Sequence, residues 1–251
     1  MPEPKPPRSI DDVALSPAEI SIGRSFRDLP ASIDNVLDLI RGEPATLRSW
    51  ERHRGRAARS AIQLGVTEEI VSLVVLIEDQ RFWLHPGIDP IGIARALSMA
   101  IRRKGRRQGA STITEQVIKL SSPPKQTTIV SRSGKALKSI VLTTRLTKLK
   151  VLREYLHKAY FGKGAFGIEA ACQLYFSKSA TQINPHEAFF IVERLAIPNQ
   201  FRLPRVRNIL RRQSVRQILA HWTKELPALY GRRFGFGAEE EMAELLAELE
   251  E

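Results

Sequence analysis

The sequence predicts a mainly α-helical fold, and three observations carry that expectation. Apolar residues recur at spacings of three and four, as in residues 31–42, ASIDNVLDLIRG. Start and stop signals follow one another at helix-length intervals: Gly65, Thr67, Asp89-Pro90, Thr112 with Glu115, and Asn184-Pro185. No alternating apolar–polar run is longer than a few residues, and no segment repeats.

The elements follow in chain order. Residues 1–30, Pro-rich and charged, read as a loose arm. After the 31–42 helix, residues 46–65 form a basic helix or helix pair with Gly65 as its stop. Thr67 is placed to cap a helix through EEIVSLVVLIED. Asp89 and Pro90 start a helix that reaches Arg103, since Asp caps and Pro fits the first turn. Thr112 and Glu115 have capping-box spacing ahead of ITEQVIKL. The loop SSPPKQTT leads into a helical stretch over residues 132–160, broken by Gly162, Gly164 and Gly167. Helices are expected again over 166–176 and, after Asn184-Pro185, over 185–196. An extended strap lies between Pro198 and Pro204, followed by a basic helix over 205–226. Residues 31–226 make the main domain, and 227–251 an appended acidic amphipathic helix.

Composition narrows the function. The 251 residues carry a net charge of +12, which points to an anionic partner: nucleic acid, an anionic membrane surface or a phosphorylated ligand. The single cysteine, Cys172, excludes a disulfide framework within the chain. The five histidines are scattered, and none pairs at metal-ligand spacing, so no built-in metal site is expected. No segment has the apolar core of a signal peptide or the ~20 apolar residues of a membrane span.

Three stretches can carry chemistry. In IEDQRFWLHPGIDP, Glu78 ends an apolar run beside Phe82 and Trp83. Poor solvation raises a carboxyl group's pKa and suits it to acid–base work. Asp79 faces elsewhere, and His85, seven residues on, can share a face with Glu78. The simpler alternative is a helix end with solvated acids. In GASTITEQ, a small-residue loop enters a helix N-terminus after the basic run RRKGRR. Its free N–H groups and the hydroxyls of Ser111, Thr112 and Thr114 suit a phosphate; a plain capping box beside a solvated charge run is the alternative. FGKGAFGIEAA is a Gly-rich turn holding Lys163, able to approach a ligand closely, or simply a helix connection.

Taken in order, EDQRFWLHPGID, GASTITEQ, a basic helix, VLREYLHKAYFGKGAFGIEAACQLYFSKSA and HEAFFIVERLAIPNQFRLP closely resemble the peptidoglycan glycosyltransferases of family 51. That module occurs in bifunctional penicillin-binding proteins and in monofunctional transglycosylases, and the resemblance covers residues 66–216. It implies a lysozyme-like, two-lobed helical domain around a cleft. The implied substrate is lipid II: the 4-hydroxyl of an incoming unit attacks the anomeric carbon of the growing chain, inverting it and releasing undecaprenyl pyrophosphate. By resemblance Glu78 is the general base. Asp79, Phe82, His85 and Gly87 shape the site; Gly109, Ser111, Thr112, Thr114 and Gln116 lie beside pyrophosphate and donor sugar; Lys163, Gly164 and Gly167 complete the last motif. Cations, or Mg²⁺ accompanying the substrate, would balance the leaving pyrophosphate. The implied partners are lipid II, the glycan chain, an anionic membrane surface and cell-wall synthesis proteins, with no nucleic acid. The implied location is peripheral, on the outer face of the cytoplasmic membrane.

The departures are specific. In the third motif, Arg-Lys-x-x-Glu, Lys135, Ala136 and Ser139 stand on Arg, Lys and Glu, and a one-turn slip offers Lys138 instead. No acid occurs between Leu120 and Arg153, so the family's second carboxylate is missing under any alignment. Glu115 replaces a Gln, Arg153 a Glu and His157 an Asn. A family member that binds lipid II, glycan or partner proteins without polymerising is therefore the alternative function. A basic nucleic-acid-binding domain accounts for the charge but not for the motif series.

Overall fold

A computed structural model of the chain describes residues 47–93, 111–121 and 146–250. The expected 31–42 helix, the loop after Ser121 and the charge run 102–107 lie outside them. The described chain is mainly helical, as expected; its one extended pairing is an isolated antiparallel bridge between Tyr160 and Phe166. No single described helix is long and apolar enough to cross a membrane. Two compact units emerge, one taking in Glu78–Ala159, the other Trp50–Ile77 and Tyr160–Glu251.

The second unit begins with α1 (Leu47–Leu64), which Gly65 ends at φ +68°, a left-handed value that glycine adopts without strain. In α2 (Glu68–Glu78) every residue from Ile70 to Leu76 is buried, the pattern of a helix apolar on all sides. Thr67 holds the position before α2, but its hydroxyl makes no hydrogen bond to a described residue; its N–H instead donates to Ala180 O at 3.1 Å. The α5 (Ile168–Phe176) and α6 (Pro185–Glu193) helices follow the Gly-rich turn. Asn184 and Glu187 form a reciprocal capping box on α6, with Pro185 in its first turn.

The expected single basic helix over 205–226 is instead four pieces: α7 (Leu203–Leu210), α8 (Gln213–Leu219), a 3-10 turn (Ala220–Glu225) and α9 (Leu226–Phe234). Pro204 falls inside the first turn of α7 rather than ending a strap, because a ring-fixed φ and a missing N–H are tolerated there. Arg212 is extended at the start of α8, and its guanidinium donates to Leu76 O at 2.6 Å. Thr147 interrupts the expected 132–160 helix: it is extended, and its hydroxyl accepts from Lys150 N–H, starting a new helix.

Phe190 centres the second unit's core, edge-on to Tyr175, Phe176 and Tyr230. The buried Arg194 guanidinium lies 5.1 Å from the Phe190 ring and 4.8 Å from Phe234, pairs with Glu193, and donates to Gln200 O at 2.9 Å. The acidic α10 (Phe236–Glu250) buries Ala238, Met242 and Leu245 and packs on α9. Glu248 on α10 meets Arg207 at 2.9 Å and Arg211 at 3.3 Å, so the acidic tail docks on the basic segment. Such exposed pairs contribute roughly 0–1 kcal/mol each, and the buried apolar face holds the helix. Replacing Phe190 by Ala should cost about 3–5 kcal/mol, from lost transfer energy and an unfilled cavity. A smaller loss for Phe190→Leu, read from urea midpoints, would match the cavity explanation.

Candidate active site

The first unit brings together the residues of the first two motifs. After Glu78 the chain leaves the α2 helix and turns through residues 79–89 before entering a helical turn at 90–93. The α3 helix (Ile113–Leu120) packs against α4 (Lys148–Lys158), burying Ile113, Val117, Val151, Leu152, Tyr155 and Leu156. Lys158 on α4 pairs with Glu154 at 2.9 Å and donates to Ser121 Oγ at the end of α3.

Asp79 is buried at the centre of a knot. Its carboxylate lies 3.0 Å from His85 Nε2 through both oxygens, and Oδ2 accepts Ile113 N–H at 3.0 Å. Gly87 N–H donates to His85 Nδ1 at 3.1 Å, so the ring proton sits on Nε2 and is donated to Asp79. Thr112 Oγ1 donates to Gly87 O at 2.6 Å while accepting Glu115 N–H at 3.2 Å. His85 thus faces Asp79 and not Glu78, because the turn after residue 78 ends the helical register that would align the two. Gly87 has φ +97°, the conformation that lets its N–H and C=O reach both partners.

Glu78 is half-buried, and its Oε2 accepts from Gln116 Nε2 at 3.1 Å. The Gln116 Oε1 in turn accepts the Tyr155 hydroxyl at 3.0 Å. Phe82 is fully buried and edge-on to Trp83. The ammonium of Lys148 stands 4.3 Å from the Phe82 ring centre, buried and without a hydrogen bond to any described residue. Burial lowers its pKa to about 8, against the opposing pull of Asp79 and Asp89. Asp89 is paired with Arg81, whose Nε donates to Oδ1 at 3.1 Å, rather than capping the helix it precedes.

The second motif serves structure as much as ligand. Thr112 is committed to the capping box and to Gly87. Thr114 is fully buried, its hydroxyl without a partner among the described residues; Ser111 is half-buried. Glu115, which raises the negative charge of this motif in sequence, turns its carboxylate back to Thr112 N–H at 3.3 Å, and burial raises its pKa. Arg153 and His157, two departures of the fourth motif, lie on the exposed face of α4, four residues apart. Gly109, Lys135 and Lys138 lie outside the described residues.

In the second unit, the Gly-rich turn presents Lys163 to solvent. Its φ is +49°, and its N–H donates to Asn199 Oδ1 at 3.0 Å; Gly164, at φ +81°, donates toward Tyr160 Oη. Gly162 packs so closely that a Cβ would lie 2.3 Å from Pro198 O. Glu169 accepts Ala180 N–H at 3.0 Å, so this carboxylate is committed to a loop. Among the described residues no group of three His, Cys, Asp or Glu side chains can hold a metal ion.

Tyr155 and Lys148 are the residues that the sequence reading passed over. They lie seven apart on α4, a spacing that places both on one face toward the first motif, and that spacing was the available signal.

Comparison with known proteins agrees with the motif series. The transglycosylase family profile matches residues 46–221. Penicillin-binding protein 1A of Haemophilus influenzae is 36% identical over 138 residues, 55% of this chain and 16% of that protein. Penicillin-binding protein 1B of the same organism is 35% identical over 161 residues, 61% of this chain and 20% of that protein. Penicillin-binding protein 1A of Escherichia coli is 35% identical over 136 residues, 54% and 16% of the two chains. The matched region thus spans a fifth or less of these relatives.

The buried Lys148 gives a testable sign. Its folded pKa, about 8, lies below the ordinary 10.5, so the unfolded chain holds more protons between those values. Stability contributed by this group therefore rises from pH 8 to 10.5 and is lost as pH falls back through that window. Urea unfolding of wild type and Lys148→Met across pH 7–10 should show the wild type gaining on the variant as pH rises; parallel curves would contradict the burial.

Proposed function

Since the chain belongs to the transglycosylase family, we propose that it is a peptidoglycan glycosyltransferase that polymerises lipid II into β-1,4 glycan strands. The observation that carries this reading is Glu78: a half-buried carboxylate held by an amide donor, beside a turn fixed by the Asp79–His85 pair. In this reading the acceptor 4-hydroxyl gives its proton to Glu78 as its oxygen attacks the donor's anomeric carbon. The bond to undecaprenyl pyrophosphate breaks with inversion. Asp79, Phe82 and His85 support the base rather than touch substrate. In this reading Ser111 and Gln116 contact the sugar and phosphate. The solvent-facing ammonium of Lys163 offers charge to the leaving pyrophosphate, where developing negative charge needs it.

In this reading any Mg²⁺ accompanies the substrate pyrophosphate. The reading places the protein on the outer face of the cytoplasmic membrane, with anionic lipid, glycan and cell-wall synthesis proteins as its surroundings. The net charge of +12 supports the lipid contact. A second reading, binding without polymerisation, is favoured by one observation: no acid lies between Leu120 and Arg153.

Purified protein incubated with labelled lipid II, detergent and Mg²⁺ separates the two. Polymer on a gel is expected, and Glu78→Gln should lower its rate by roughly 10²–10⁴, the range for loss of a general base. Polymer formation unaffected by Glu78→Gln would refute the role of that carboxylate. Saturable lipid II binding with no polymer at high protein concentration would establish the binder.

A further inference from the structure

We propose that Tyr155 is a positioning residue for Glu78, acting through Gln116 and touching no substrate. The inference rests on the reading of Glu78 as the base. All three residues belong to the first unit. Tyr155 is buried on α4, and its hydroxyl donates to Gln116 Oε1 at 3.0 Å; Gln116 on α3 passes Nε2–H to Glu78 Oε2 at 3.1 Å.

The chemistry of the three partners fixes the direction of this chain. An ionised carboxylate only accepts, so the amide atom facing Glu78 must be the nitrogen. The amide oxygen then faces α4, where the tyrosine O–H is the donor that satisfies it. Were the hydroxyl absent, the side-chain amide would have no donor holding its oxygen, and a half-turn would aim Oε1 at the carboxylate. That orientation sets one acceptor against another. The tyrosine therefore selects the amide orientation that donates to the ionised base. Because α3 and α4 pack on each other and Lys158 ties the C-terminal end of α3 to α4, the distance from Tyr155 to Gln116 is set by buried side chains.

The direct test follows the Glu78 carboxyl carbon by ¹³C NMR in glutamate-labelled protein, assigned by its loss in Glu78→Gln, across pH in wild type, Tyr155→Phe and Gln116→Ala. The phenyl ring keeps the packing, so only the hydroxyl is removed. The expected result is a Glu78 titration midpoint displaced to higher pH in both variants, with no further displacement in the double variant. An unmoved midpoint in Tyr155→Phe overturns the proposal whether or not the protein polymerises lipid II. So does a double variant in which the two displacements add. In the lipid II assay, Tyr155→Phe should lower kcat about tenfold, the size of one well-placed hydrogen bond, with the acidic limb of the pH profile moved upward. Displaced midpoints in the variants, with no polymer from the wild type, would refute the enzyme reading and leave the positioning chain standing.

Discussion

The buried carboxylate of Asp79 is the constraint around which the first unit is arranged. A charge removed from water must find donors, and a partly satisfied one is more costly than an apolar replacement. Asp79 draws one from a side chain six residues on and one from a backbone amide thirty-four residues on. The second donor is the first N–H of α3, which has no partner within its own helix, so one contact satisfies both groups. Thr112 closes the same loop from the other side through Gly87 O. The turn after Glu78 and the start of α3 are therefore locked together by polar groups that cannot leave singly. The place of Glu78 relative to Gln116 follows from that lock.

This arrangement shows why acid, histidine and glycine recur at those spacings. Asp79 and His85 look like a second acid and a second base for chemistry. Each is consumed by the other: the ring proton goes to the carboxylate, and the opposite nitrogen takes the Gly87 amide. Glu78 accepts from a neutral amide, that of Gln116.

Much of the fold was legible because its signals are local. Caps at Thr112 and Asn184, stops at Gly65 and the Gly162–Gly167 turn, and the apolar run of α2 all act within one helical turn of the residues they govern. The segment after Pro198 read wrongly for a physical reason. Helical periodicity continues across residues 211–212 and 220–225, while the break at Arg212 coincides with a long-range bond to Leu76 O that no window contains. In the site, Glu78 and its motif partners were found by their order along the chain. The pairing of His85 with Asp79 was not, since helical spacing was extended past the end of its helix. Tyr155 was missed because a buried tyrosine among apolar neighbours reads as core until its hydroxyl has a partner.

The lost third-motif carboxylate and the Arg153 replacement push the charge of this chain in one direction. Both replacements remove negative charge from positions where the family resemblance implies acids. Added positive charge attracts the pyrophosphate in the bound substrate as well as in the transition state. Binding both equally lowers KM without raising kcat. The same attraction holds the departing pyrophosphate. A second acid also has work that cations cannot replace, because only an acceptor can orient a metal ion or a water on the leaving group. Arg153 lies on the exposed side of α4, away from the buried side that carries Tyr155. On the proposed reading, the proton-accepting half of the chemistry stays intact while the leaving-group half shifts toward tighter retention of pyrophosphate.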